Sequence, residues 1–267
     1  GLGRGVGGCG DDGAPVAAVR VEAVGAPLSG VVGTPLVGEA VKVMDEQEQP
    51  VERVSVAWVA EDGTVTSRET RTDGEGVARV LWLLGPRAGE QRLTATVRGL
   101  EPATIVAAAQ AGPPVRVAAA GPTSLAGRVR APASPAPAVV VRDRYDNPVP
   151  GTTVVFRAVT GGGEVEGATP QTDADGIATV GSWTLGPTSG EQRLTASVEG
   201  LAPVQFIAQA AADSPATAMV WVGDRQVATM GRPVALPPAV RVVDRYSNPV
   251  PGAIVDFRVT GGGGTIT

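Results

Sequence analysis

Residues able to do chemistry are few in this chain of 267 residues. Asp173-Ala174-Asp175-Gly176 has the acidic spacing of a calcium loop, and Asp143 and Asp146 are further oxygen donors nearby in sequence. Only part of the twelve-residue pattern is present. No Glu stands at its expected end, and an earlier copy reads Asp73-Gly74-Glu75-Gly76. The competing reading of Asp173 and Asp175 is a hairpin turn with Gly in the left-handed position, and the expectation is no metal. With no His, the commonest general base and metal ligand is missing. The carboxylates fall in turns and on outward strand positions, away from any paired arrangement in a cleft. Gly161-Gly162-Gly163 and Gly261 to Gly264 are followed by no helical pattern, so they are turn material and not a phosphate cradle. Neither catalysis nor a cofactor is expected.

Cys9 is the single cysteine, so an intramolecular disulfide is excluded. Val6-Gly7-Gly8-Cys9 resembles a bacterial lipobox, in which the Cys receives the lipid, and Gly10-Asp11-Asp12-Gly13 would then begin a mature tether. The apolar stretch that should precede such a site is not among these residues. The alternative is an incidental Cys in a flexible segment.

The elements that must position these residues are strands. Asp143-Arg144-Tyr145-Asp146-Asn147-Pro148-Val149-Pro150-Gly151 is a turn followed by the apolar run Thr153-Val154-Val155-Phe156. Asn and Asp bond their own backbone, Pro fixes φ and Gly closes the turn without steric cost. The stretch returns as Asp244 to Gly252 ahead of Ile254-Val255-Asp256-Phe257, and a worn copy spans Asp45 to Val51 ahead of Val54 to Trp58. The copies start 98 and 101 residues apart, which fits one β-sandwich per period and is too long for helical solenoid units.

Composition agrees. Apolar residues make up 43% of the chain but aromatics only 3%, so Val and Ala must fill the cores. The 37 Gly and 23 Pro suit short strands and turns, and no stretch shows a helical apolar stripe. The net charge of −5 and the scattered, almost exclusively Arg cations leave no basic stripe for nucleic acid. No apolar run is long enough for a transmembrane helix.

Period-two alternation places strands at Val19–Val24, Glu39–Met44, Val54–Trp58, Val77–Leu84, Gln91–Val97 and Ala103–Ala109. The order repeats from Val115, and Gly190-Glu191-Gln192-Arg193-Leu194-Thr195-Ala196 matches Gly89 to Ala95 residue for residue. The expected organisation is a tether over 1–13, sandwiches over 14–112 and 113–212, and a truncated sandwich over 213–267. The third should be poorly ordered or leave an open sheet edge. Trp82 and Trp183 are equivalent positions, as are Trp58, Phe156 and Phe257, and all are expected in cores. Tyr145 and Tyr246 are expected to pack at a sandwich end. Gly112-Pro113-Pro114 and Asp213-Ser214-Pro215 are short, Pro-containing linkers, which predict a monomeric, semi-rigid rod.

These motifs together resemble the bacterial immunoglobulin-like domain of the invasin and intimin type, family one. Asp143, Asn147, Pro148, Val149, Gly151, Val154 and Phe156 carry the first part of the resemblance. Thr172, Asp173, Gly176 and Ala178 carry the second, and Gly190 with Leu194-Thr195-Ala196 the third. The first copy departs, with Gln49 for the Asn and Arg53 near the Gly, and a looser turn is expected there. The resemblance implies an all-β fold of tandem immunoglobulin-like β-sandwiches, two complete and one truncated. It also implies export to the cell envelope, surface or exterior, and no catalysis. The expected function is a non-catalytic cell-surface stalk or adhesion module that spaces a distal region from the envelope. The partner would be an unknown surface or extracellular ligand, with membrane attachment through a lipid on Cys9. The alternatives are a module that itself binds a protein or glycan, and accessory domains of a secreted hydrolase.

Overall fold

The computed structural model describes residues 17–25 and 28–266. Its described residues contain strands and turns and no helix. Two compact units divide them: unit 1 runs to Pro113 and includes Asp143–Asn147, and unit 2 holds Pro114–Arg142 and the residues from Pro148 onward. Cys9 and the residues around it lie outside the described residues.

Unit 1 contains β1 (Arg20–Val24), β2 (Leu28–Val31), β3 (Pro35–Met44), β4 (Ser55–Ala60), β5 (Thr64–Val65), β6 (Glu69–Arg71), β7 (Val77–Leu83), β8 (Gly89–Thr96) and β9 (Ala103–Gln110). One sheet has the order β1-β3-β7-β5, the other β2-β9-β8-β4-β6. The alternation read from sequence is the burial pattern itself: in β9 every second residue from Ala103 is buried. Val41, Val43, Ala78 and Trp82 from the first sheet meet Val56, Trp58, Leu93, Ala95 and Ala107 from the second in one core. This is a sandwich filled mainly by small aliphatic side chains, with the tryptophans taking the large spaces.

Unit 2 repeats the plan with β10 (Arg116–Ala119), β11 (Ser124–Arg128), β12 (Ala138–Arg142), β13 (Val155–Ala158), β14 (Glu164–Glu166), β15 (Ile177–Thr179), β16 (Ser182–Thr184), β17 (Gly190–Ser197) and β18 (Val204–Ala211). Its sheets are β10-β12-β15, β11-β18-β17-β13 and β14-β16. Register agrees between the units: Leu93 faces Ile105 in one, Leu194 faces Phe206 in the other.

Strands β2 and β11 escape the period-two reading because they are short and contain Gly30 or Gly127. Each pairs in parallel with the last strand of its sandwich. The repeats differ in length at several places, and one of them falls directly before Trp183. Val80-Leu81-Trp82 becomes Val180-Gly181-Ser182-Trp183, one residue longer. An added residue in a continuous strand would turn Trp183 outward. The strand instead splits into β15 and β16 around Val180 and Gly181, and Trp183 stays fully buried.

The last part of unit 2 is β19 (Thr217–Val222) paired with β20 (Ala239–Val243), with no strand over residues 244–266. Every residue of β19 is exposed. Phe257, expected in a core like Phe156, is instead 48% exposed, whereas Phe156 is 2% exposed. The difference has a simple cause. Phe156 lies on β13, which pairs with β17, and these residues contain no such partner for the segment around Phe257.

Candidate functional site: a loop held from both sides

The signature turn and its worn copy share one backbone. Asp45, Asp143 and Asp244 each accept two backbone N–H bonds on Oδ1, from residues two and four positions on. Glu48, Asp146 and Ser247 take positive φ at the same place in each copy. The looser turn expected in the first copy does not occur. Arg53 adopts φ 63° where Gly151 has φ 72°, and each donates its N–H to the equivalent threonine carbonyl at 2.8 Å. Backbone hydrogen bonds impose the left-handed conformation whatever the side chain.

The turn is a corner. In unit 2, β12 lies in one sheet and β13 in the other, so the chain crosses between layers after Arg142. Buried Thr172 secures the crossing: its Oγ1 donates to the Val149 carbonyl at 2.7 Å and accepts from the Thr152 N–H at 2.8 Å. Thr72 does the same in unit 1 with Val51 and Val54.

The calcium candidates sit in the next corner. Asp173 Oδ1 accepts from the N–H of Asp175 and of Ile177, both at 2.9 Å. Gly176, φ 72°, makes the close approach there; a Cβ on it would stand 2.6 Å from the Val141 carbonyl oxygen. Among the described residues no three His, Cys, Asp or Glu side chains gather as a metal site would require.

What the structure brings together is an Asp, an Asn, a loop and a Gln. In unit 1 the loop Gly85-Pro86-Arg87-Ala88-Gly89 joins β7 to β8. From inside, Gln91, 1% exposed, holds alternate residues of it. Its Oε1 accepts from Gly85 N–H at 2.8 Å, and its Nε2 donates to the carbonyls of Gly85 at 3.3 Å and Arg87 at 2.7 Å. From outside, Asn147 takes the residues between. Its Nδ2 donates to the Pro86 carbonyl at 2.7 Å, and its Oδ1 accepts from Ala88 N–H at 2.9 Å. The second Nδ2 hydrogen goes to Asp143 Oδ2 at 2.9 Å, which also accepts from Gly112 N–H at 2.8 Å. A neutral amide is required at both positions, because only it donates and accepts.

Unit 2 contains the same arrangement. Gln192 holds Gly186 and Thr188. Asn248 donates to the Pro187 carbonyl at 2.7 Å and accepts from Ser189 N–H at 2.8 Å, with Asp244 Oδ2 at 2.9 Å behind it. Asp244 Oδ2 also accepts from Asp213 N–H at 2.9 Å. Arg245 pairs with Asp213 at 3.0 Å.

These contacts set the charge state of both aspartates. Burial pushes the Asp143 carboxyl up. The Asn147 side chain and the N–H groups of Gly112, Asn147 and Tyr145 outweigh it, and the group lies below its ordinary 3.8. In Asp244 the same opposition, with Asn248, Asp213 and Tyr246 as donors, brings it to about 2. Both carboxylates stay charged at neutral pH.

Tyr145, expected to pack at a sandwich end, is 38% exposed, with the Arg144 guanidinium 4.5 Å above its ring. Its Oη lies so close to Gly33 that a Cβ there would collide with it. Arg245 covers Tyr246 in the same way at 4.9 Å.

Sequence reasoning placed Asp143 and Asn147 in a turn and missed Gln91 and Gln192. The signal was present: each is a polar residue on the inward face of an alternating strand, two positions before a buried Leu.

No protein-family model matches the chain, and a comparison with curated proteins finds no match. Solved structures do resemble it. One is FdeC, an Escherichia coli adhesin, 17% identical, with 90% of this chain and 78% of that one covered and a TM-score of 0.56. Another is InvD of Yersinia pseudotuberculosis, 14% identical, covering 86% of this chain and 71% of that one, also with a TM-score of 0.56. At these identities the likeness establishes the fold.

Proposed function

We propose that this chain, built of tandem immunoglobulin-like β-sandwiches of the invasin and intimin type, is a non-catalytic module of an exported cell-surface adhesin. It serves as a stalk that carries a distal binding region away from the envelope. The observation that supports this reading most is the likeness to FdeC, which extends over 90% of the chain and so over more than one sandwich. The use of polar side chains agrees with it. The buried Gln and Asp residues and the buried Asn248 spend their hydrogen bonds on backbone and on one another, which suits structural modules. The partner is an extracellular ligand bound elsewhere in the parent protein, and a lipid on Cys9 is the membrane attachment.

Antibodies against residues 17–266, applied to intact producing cells, test the location. Labelling of intact cells is expected; labelling only after lysis overturns it. Mass spectrometry of the native N-terminus tests the anchor, and an unmodified Cys9 with residues before it rules the lipid out. If the purified chain alone bound host cells or matrix as well as the parent protein does, the stalk role would be wrong and a ligand-binding role right.

A further inference from the structure

We propose that the Asp-x-x-x-Asn turn of one repeat and the Gly-Pro-x-x-Gly loop of the repeat before it form a dedicated joint. The inference is independent of where the protein is located.

The contacts recur. The Asn147 contacts to Ala88 and Pro86 span 59 and 61 residues of sequence, and the Asn248 contacts to Ser189 and Pro187 span the same 59 and 61. A chance contact of an exposed turn would not return with the same atoms, the same separations and distances within 0.1 Å.

The loop is also built to receive the Asn. The buried Gln shapes the loop from within by taking residues 85 and 87, or 186 and 188, which leaves the carbonyl of the Pro and the N–H of the residue two further on for the Asn. The proline has no N–H of its own to satisfy. The Asp then binds the Asn side chain and the backbone of the connecting segment, at Gly112 in one case and Asp213 in the other. One carboxylate thus ties together the turn, its Asn and the linker.

The joint is indifferent to the loop side chains. It touches only backbone atoms of the loop, and the loop side chains differ between copies: Arg87-Ala88 against Thr188-Ser189. The hydrogen bonds to the loop therefore come from the Asn and the Gln, with the Asp holding the Asn in place. The first copy shows the contrast. It keeps the Asp45 turn, but Gln49 replaces the Asn and turns its Nε2 to the Gln47 carbonyl of the same turn.

Amide hydrogen exchange of the full chain, read by NMR, tests the joint. In the unmodified chain the N–H groups of Ala88 and Ser189 should both be protected. Asn147→Ala should speed exchange at Ala88 roughly tenfold, the loss of one hydrogen bond, and leave Ser189 unchanged. Asn248→Ala should do the reverse. Leu93 and Leu194, deep in β8 and β17, report in each case that the sandwiches remain folded. Asn248→Ala should also accelerate cleavage before Asp213 by a protease specific for Asp. Free-peptide exchange at Ala88 and Ser189 in the unmodified chain would overturn the proposal, even if a variant failed to fold. So would exchange or cleavage that the substitutions leave unchanged.

Discussion

Asp143 and Asp244 show how much one carboxylate can organise. Each accepts four hydrogen bonds, two on each oxygen. Their lowered pKa values have a definite consequence for stability. A carboxyl that is more acidic folded than unfolded contributes stability above its unfolded pKa and loses it as pH falls through the folded value. For Asp244 this window runs from about 4 down to about 2. The thermal midpoint of unit 2 should therefore be flat near neutrality and drop on acidification through that window, with a smaller drop in Asp244→Asn. A second contrast concerns the core tryptophans. Trp82 Nε1 donates to the Asp62 carbonyl at 3.1 Å, while the buried Trp183 Nε1 has no partner among the described residues. Trp82→Phe should cost about 1 kcal/mol more than Trp183→Phe in urea unfolding, the value of a typical hydrogen bond.

At the scale of elements, the corners between sheets are what distinguish this chain from a set of hairpins. The Asp-x-x-x-Asn corner needs a left-handed residue at its far end, met by Gly in two copies and by Arg53 in the first. Left-handed backbone costs a non-Gly residue roughly 1–2 kcal/mol. Arg53→Gly should therefore stabilise unit 1 by about 0.5–1 kcal/mol after the entropy that Gly loses on folding, read as a shift in its urea midpoint. One extra residue splits β15 from β16. Aligning the two repeats locates the extra residue beside Gly181, but only packing explains its treatment. Keeping Trp183 buried outweighs keeping the strand continuous, because a large buried aromatic is worth several kcal/mol and one ladder bond about one.

For the whole molecule, the small, aliphatic cores of the complete sandwiches contrast with the last segment of unit 2. There Val220, Trp221, Ile254 and Phe257 remain exposed. An exposed apolar face of this kind seeks a cover. Extending the chain with a copy of residues 168–212 should supply one. The extended chain should bind less of the dye ANS than the present one, and amides of β20 should exchange more slowly. Equal dye binding would show that the face is not completed by strands of the repeat's own kind.

The sequence by itself determined the longer strands of the two complete sandwiches, the crossing turns, the period and the inward Trp58, Trp82 and Trp183. All of these depend on neighbouring residues: alternation of two for a pleated surface, and Asp, Pro and Gly for turns that bond to themselves. It also marked Asn147 and Asn248 as repeated, without saying what they hold. Only the tertiary structure decided that, along with the partners of Gln91 and Gln192, the parallel edge strands β2 and β11, and the exposure of Phe257. The physical reason is distance along the chain. A hydrogen bond from Asn147 to a carbonyl 61 residues away leaves no periodic trace, and burial of an aromatic depends on strands that its own neighbourhood does not contain.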